Sequence, residues 1–101
     1  MVRLPKKQID QTSDLLKVIS GSFRLEIICL LCKQGSLSVN ELAKELSAEQ
    51  SATSHQLAKL RAEKIVTTSR HGQTIKYELA KNNRSKLATK IINECGCLRS
   101  K

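Results

Sequence analysis

Residues 37–79 read LSVNELAKELSAEQSATSHQLAKLRAEKIVTTSRHGQTIKYEL, and this stretch decides the fold. Ser38-Val39-Asn40-Glu41 has the S-x-x-E spacing of a capping box, in which the Ser and Glu side chains satisfy amides that a helix start leaves without partners. Behind it, Val39, Leu42, Ala43 and Leu46 recur at i, i+3, i+4 and i+7, one stripe of a 3.6-residue period, while Asn40, Glu41, Lys44 and Glu45 face away. The pattern predicts a short helix that ends at Ser47. A second helix runs to about Lys64, starting either at a further capping box, Ser47-Ala48-Glu49-Gln50, or at Glu49. Its inner side carries Thr53, Leu57 and Leu60, and its outer side Gln50, Ser51, Ser54, His55 and Gln56. Beyond it, Ile65-Val66-Thr67-Thr68 is β-branched throughout, His71-Gly72 fits a tight turn, and Thr74 to Leu79 alternates apolar with polar. These residues form a β-hairpin.

Two helices followed by a basic hairpin are the parts of a winged helix-turn-helix, with residues 38–64 as the helix pair and 65–79 as the wing. Small hydroxyls and amides near the start of the second helix suit a DNA major groove, because they can hydrogen-bond base edges without holding the helix away from them. Gln50, Ser51, Thr53, Ser54, His55 and Gln56 are the expected base readers. Lys59, Arg61, Lys64, Arg70 and Lys76 are expected on phosphates, and His71 and Gln73 share the hairpin tip with them. The balance of 18 Lys and Arg against 9 Asp and Glu, a formal charge of +9 with pI about 9.7, supplies the electropositive surface that double-stranded DNA requires. Phe23 and Tyr77 are the only aromatic residues, too few to stack a single strand. No nucleophile, base and orienting group converge in any motif, so an enzyme is not expected. Neither His55 nor His71 has a carboxylate placed to make it a base.

At 101 residues the chain forms one domain, 1–101, small enough that dimerisation would help it bury surface. No apolar run approaches the roughly 18 residues of a membrane span, and Met1 to Lys7 lacks the apolar core of a signal peptide. A bacterial cytoplasmic location is expected, where four cysteines are kept reduced rather than paired as a structural framework. Leu15, Leu16, Val18 and Ile19 give an amphipathic first helix, which Ser20-Gly21-Ser22 breaks. Phe23 to Gln34 is apolar almost all round and is expected to be the central, fully enclosed helix, ended by Gly35. A last helix starts at Asn82 or Asn83 and carries Leu87, Ala88, Ile91, Ile92 and Cys95 on one face. Met1 to Lys7 and Leu98 to Lys101 are expected to fray. The predicted architecture is mainly α, with five helices and a two-stranded wing, in a homodimer joined through helices 8–20 and 82–97.

From Phe23 to Leu79 the chain resembles the ArsR/SmtB family of small dimeric winged-helix repressors. The resemblance rests on Arg24-Leu25-Glu26-Ile27-Ile28, on Ser38-Val39-Asn40-Glu41-Leu42-Ala43, and on Gln50-Ser51-Ala52-Thr53-Ser54 leading to Leu57, Leu60 and Arg61. Relatives usually have a His directly before the Leu at position 57, whereas here the pair is His55-Gln56. By the same resemblance, an arsenic sensor would carry Cys-x-Cys where Ser36-Leu37-Ser38-Val39 stands, and a sensor of zinc, cobalt or nickel would carry Asp and His pairs in a last helix that here has no histidine. Cys29 and Cys95, 66 positions apart, look like the cysteine pair of the family's persulfide- and redox-responsive branch (HlyU-, BigR- and SqrR-like regulators). That resemblance implies release from the operator when the two thiols are bridged, with no cofactor. Cys97 could replace Cys95 in the bridge, and Cys32 reads as a buried hydrophobe. Two alternatives stay open: a metal(loid) switch in which Cys29, Cys32, Cys95 and Cys97 bind Zn, Cd, Cu or As as thiolates, and a winged-helix module for protein contact.

Overall fold

In a computed structural model, which describes residues 1–99, the chain forms α1 (Lys6–Ile19), α2 (Ser22–Gln34), β1 (Leu37–Ser38), α3 (Val39–Glu45), α4 (Gln50–Ala62), β2 (Val66–His71), β3 (Thr74–Leu79) and α5 (Asn83–Glu94). The expected fraying of the C-terminal end falls partly on Ser100 and Lys101, outside the described residues. At the other end Lys6 and Lys7 are helical, because Pro5 sits just before α1 and needs no amide partner there. The five helices and the wing are those the sequence predicts. The sheet has a third strand: β1 joins the free edge of β3, pairing Leu37 with Tyr77 and Ser38 with Lys76, and the strand order is β1-β3-β2. In the hairpin, His71 ends β2 opposite Thr74, so the two turn residues are Gly72 and Gln73. Gly72, at φ +67°, takes the first of the two positions, which favours glycine in this kind of turn.

Leu15, Ile19, Ile27, Ile28, Leu31, Leu37, Leu42, Leu57, Leu60, Ile65, Val66, Ala88 and Ile92 form one core, drawn from every helix and from β1 and β2. Helix α2 is not fully enclosed. Ile27, Ile28 and Leu31 are buried, while Phe23, Leu25, Cys29, Leu30 and Cys32 are only half-buried, because four other short helices and a small sheet cannot cover every face of it. Helix α5 turns Ser85, Ala88 and Ile92 inward, leaving Leu87 exposed and Ile91 half-buried.

Three helices end in the same way. After α3, Ala48 donates to the Ala43 carbonyl and Ser47 to Lys44; after α4, Ile65 donates to Leu60 and Lys64 to Arg61; after α5, Cys97 donates to Ile92 and Gly96 to Asn93. Each is a Schellman motif, which requires one left-handed residue. Those residues are Ser47 (φ +51°), Lys64 (φ +63°) and Gly96 (φ +81°), and only the last is a glycine. The Schellman turn at Ser47 also excludes the expected second capping box: α4 starts after Glu49, with no side-chain cap.

Candidate nucleic-acid interface and thiol pair

Helix α3 is set by the predicted capping box. The Glu41 amide donates to Ser38 Oγ at 3.2 Å and the Ser38 amide to Glu41 Oε1 at 2.9 Å. The Ser38 amide, helped by Lys76 Nζ at 3.6 Å, holds the Glu41 carboxyl below its usual range. Lys76 is thus tied to the start of α3, which fixes the wing against the helix pair.

On α4, Gln50, Ser51, Ser54 and His55 are exposed and recur at i, i+1, i+4 and i+5, a continuous outer face. Two expected base readers do not belong to it. Thr53 is 0% exposed and donates its hydroxyl back to the Glu49 carbonyl at 2.9 Å, so it packs the first turn of the helix from inside. Gln56 is half-buried, and its Oε1 accepts from Arg24 Nη1 at 3.0 Å. Lys59, Arg61 and Lys64 are exposed around the end of α4, and Arg70, His71 and Gln73 at the hairpin tip, where His71 Nε2 lies 3.0 Å from Ser69 Oγ. Lys76, the remaining phosphate candidate, is partly covered and already paired with Glu41.

Sequence reasoning missed the side chains that hold α4 in place. Arg24 does so from α2. From α5, Arg84 reaches Glu63 with Nη2 on Oε1 at 3.2 Å and Nε on the carbonyl at 3.3 Å. Asn82 donates Nδ2 to the Lys64 carbonyl at 2.9 Å while its Oδ1 caps α5 by accepting from the Ser85 amide. Arg24 stands in the quoted Arg24-Leu25-Glu26 segment, but its partner 32 residues away has no local signal.

All four cysteines are free. Cys29, half-buried on α2, donates its thiol to the backbone carbonyl of Cys97 at 3.2 Å. The Schellman turn at Gly96 carries the chain back over α2 and brings that carbonyl to Cys29. Cys95 closes α5 and is exposed, as is Cys97; at two residues' distance its Cα lies within about 7.6 Å of that of Cys97. Burial, reinforced by the neighbouring Cys97, pushes the Cys29 thiol above its ordinary value against the pull of Lys33. Cys32, half-buried, contacts Thr89 Oγ1 of α5 at 3.7 Å. Among the described residues no three His, Cys, Asp or Glu side chains converge as a metal-binding group, so the four thiols do not stand as a ready-made thiolate site. No helix among these residues is long and apolar enough to cross a membrane.

Residues 22–68 match the family model described as "Bacterial regulatory protein, arsR family". The chain is 42% identical over 66 residues to the transcriptional activator HlyU of Vibrio cholerae, a match spanning 65% of this chain and 60% of that one. It is 33% identical over 86 residues to the biofilm growth-associated repressor of Xylella fastidiosa, covering 85% of this chain and 75% of the relative. The crystal structure of the transcriptional repressor BigR from the same organism superposes with a TM-score of 0.85 at 30% identity, over 95% of both chains. With helix pair, wing and core in the same arrangement, the chain belongs to the ArsR family of DNA-binding transcriptional regulators, which are not enzymes.

Proposed function

We propose that the chain is a homodimeric, sequence-specific repressor of a bacterial cytoplasm that lets go of its operator when Cys29 is bridged to a cysteine of the C-terminal turn. The observation that carries this reading is the 3.2 Å contact between the Cys29 thiol and the Cys97 carbonyl, inside the turn that also holds Cys95. The expected partner is Cys95, and this contact makes Cys97 a close rival. DNA is read by Gln50, Ser51, Ser54 and His55, with Lys59, Arg61, Lys64, Arg70, His71, Gln73 and Lys76 on or near the backbone. Exposed Ile9 and Leu16 on α1 and Leu87 on α5 support a second copy packed against those helices.

Bridging removes two electrons and two protons from a thiol pair. With hydrogen peroxide as oxidant, exposed Cys95 or Cys97 attacks one peroxide oxygen, releasing water and leaving a sulfenic acid; Cys29 then attacks that sulfur, and a second water leaves as the S–S bond forms. With a low-molecular-weight persulfide, sulfur transfer leaves a cysteine persulfide and a free thiol, and attack by Cys29 on the inner sulfur expels hydrogen sulfide. Closing a loop of 66 to 68 residues is worth roughly 4 kcal/mol in the chain-entropy model, while loss of an operator needs a coupling of about 1 to 3 kcal/mol.

The test is intact-mass analysis beside a DNA shift assay, on a duplex selected by the reduced protein from a random-sequence pool. Reduced protein and the Cys29→Ser variant should both bind. Persulfide or peroxide should shift the wild-type mass and release the DNA, and should leave Cys29→Ser bound. Comparing Cys95→Ser with Cys97→Ser identifies the partner. Release of Cys29→Ser by the same reagents would overturn the reading, and stoichiometric metal binding that releases DNA with no response to persulfide would transfer it to the thiolate-metal alternative.

A further inference from the structure

The geometry points to Arg24 as a positioning residue for DNA recognition, acting through Gln56 rather than on DNA. This inference rests on the reading of α4 as the base-contacting helix and adds what sets that helix in place. The Arg24 guanidinium is held at two ends. Nε donates to the Val18 carbonyl at 2.6 Å, and Nη1 donates to Gln56 Oε1 at 3.0 Å. Val18 lies in the last turn of α1, where carbonyls have no intrahelical partner and the helix dipole is negative, so a cation there is favourable. One planar side chain on α2 therefore joins the end of α1 to the middle of α4. The chain makes room for it at Gly21, where an added Cβ would meet Arg24 Nη2 at 3.1 Å and Cζ at 3.2 Å, close enough to force the guanidinium to shift.

Gln56 neighbours the reading face through His55. Its acceptor oxygen is used by Arg24, so its amide sets the rotation of α4 about its own axis instead of sampling base edges. Recognition depends on placing donors and acceptors to within a few tenths of an ångström, whereas phosphate contacts from flexible Lys and Arg side chains tolerate a small rotation. Loss of the strut should reduce discrimination between sequences while leaving the general attraction to DNA intact.

The experiment measures two affinities, for the pool-selected duplex and for a random-sequence duplex of equal length, together with the salt slope and the thermal melt. Arg24→Ala, Gln56→Met and their combination are compared. Gln56→Met preserves bulk and removes the acceptor. Each single substitution should lower the ratio of the two affinities about tenfold, the scale of one charge-assisted hydrogen bond, with no further loss in the double variant and no change in salt slope. Gly21→Ala, which displaces Arg24 without removing it, should lower the ratio in the same direction and keeps the test available where Arg24→Ala fails to fold. Additive losses, or an altered preference at a single base pair for Gln56→Met with none for Arg24→Ala, would make Gln56 an independent base reader and overturn the inference. Equal losses on both duplexes would reduce Arg24 to a packing residue and overturn it as well. Ser51→Ala and His55→Ala test the underlying reading: unchanged base preferences in both would show that α4 does not read the bases, an outcome separate from any result at Arg24.

Discussion

Replacing Lys64 by glycine should give a more stable protein that binds DNA less well. Lys64 occupies the left-handed position of the Schellman turn after α4, at φ +63°, with its amide on the Arg61 carbonyl at 3.0 Å and the next amide, of Ile65, on Leu60 at 2.9 Å. For a residue with a Cβ that conformation costs about 1 to 2 kcal/mol, and glycine avoids the cost. Glycine also loses more freedom on folding, by roughly 0.5 to 1 kcal/mol, which leaves a net gain of about 0.5 to 1 kcal/mol. In a domain of this size that raises Tm by roughly 2 to 8 °C. The Asn82 contact is to the Lys64 carbonyl and survives the exchange.

The same substitution removes one exposed cation just beyond the end of α4. If Lys64 touches a phosphate, the plot of log affinity against log salt should flatten by about 0.9 per protomer. Lys64→Ala separates the two effects, because it loses the charge and keeps the strained backbone: its slope should flatten without a rise in Tm. Thermal melts and DNA titrations at several salt concentrations measure both quantities. A Lys64→Gly protein that melts lower than wild type would refute the argument from backbone strain, and an unchanged salt slope in both variants would remove Lys64 from the DNA contact.

Glu41→Gln should keep the capping box, since Gln can take the same role, but free Lys76 from its ion pair at 3.6 Å; affinity for DNA of any sequence should rise and the salt dependence steepen, read in the same titrations. Because the Glu41 carboxyl is held below its usual range, its contribution to stability is present above the unfolded pKa and is lost as pH falls through the folded one, so acid melts of the Gln variant should lack that part of the decline. Thr53→Val should lower stability by about 1 kcal/mol through loss of the hydroxyl bond to Glu49, with base preference unchanged in a selection from a random pool. Cys29, pushed up by burial, should be alkylated by iodoacetamide more slowly in the folded protein than in urea at neutral pH, as read by peptide mass. Its contribution to stability is full below the ordinary thiol value of about 8.5 and is lost as pH rises through the folded one, so melts should decline in alkali less in Cys29→Ser than in wild type. Arg84→Gln severs the partly exposed pair with Glu63, and the bridged protein should then lose DNA about two- to fivefold less than bridged wild type, measured by shift assay at matched extents of oxidation.

Features written in adjacent residues were legible, and features made by distant ones were not. The Ser38–Glu41 box, the stripe of α3 and the start of α5 at Asn83 depend on residues within a few positions of one another and appear where the sequence places them, while the hairpin turn lies one residue beyond the expected His71-Gly72. Strand β1 has two residues and exists only because β3 offers it an edge, which no run of two residues announces. Thr53 shows a conflict inside one helical period. It falls on the stripe of Leu57 and Leu60, and that position decides against the base contact its hydroxyl suggested. Lys64 and Ser47 gave no sign of left-handed geometry, because neither residue type marks it as glycine does. The contact between Cys29 and the Cys97 carbonyl crosses 68 positions. The pairing with Cys95 came from likeness to a family rather than from spacing, and the turn at Gly96 brings the residue two places further on to Cys29.

The struts on α4 give the proposed switch a physical route. Helix α4 meets α3 at a strained turn on Ser47, α2 through Arg24 and Gln56, and α5 through Asn82 on Lys64 and Arg84 on Glu63. The second and third struts come from the two helices that carry Cys29 and lead into the turn of Cys95 and Cys97. In the proposed switch a sulfur–sulfur bond of about 2.05 Å would tie α2 to the turn after α5, where the Cys29 thiol now meets only the Cys97 carbonyl, and would bias the spacing of the two helices. Such a shift would reach α4 at its middle, through Gln56, and just past its end, through Glu63 and Lys64, and unequal shifts at the two points would rotate it. In a dimer that must match two half-sites about one helical turn of DNA apart, a rotation in each protomer changes both the separation and the angle of the reading helices. No element has to unfold for affinity to fall by the one or two orders of magnitude that a coupling of about 1 to 3 kcal/mol represents.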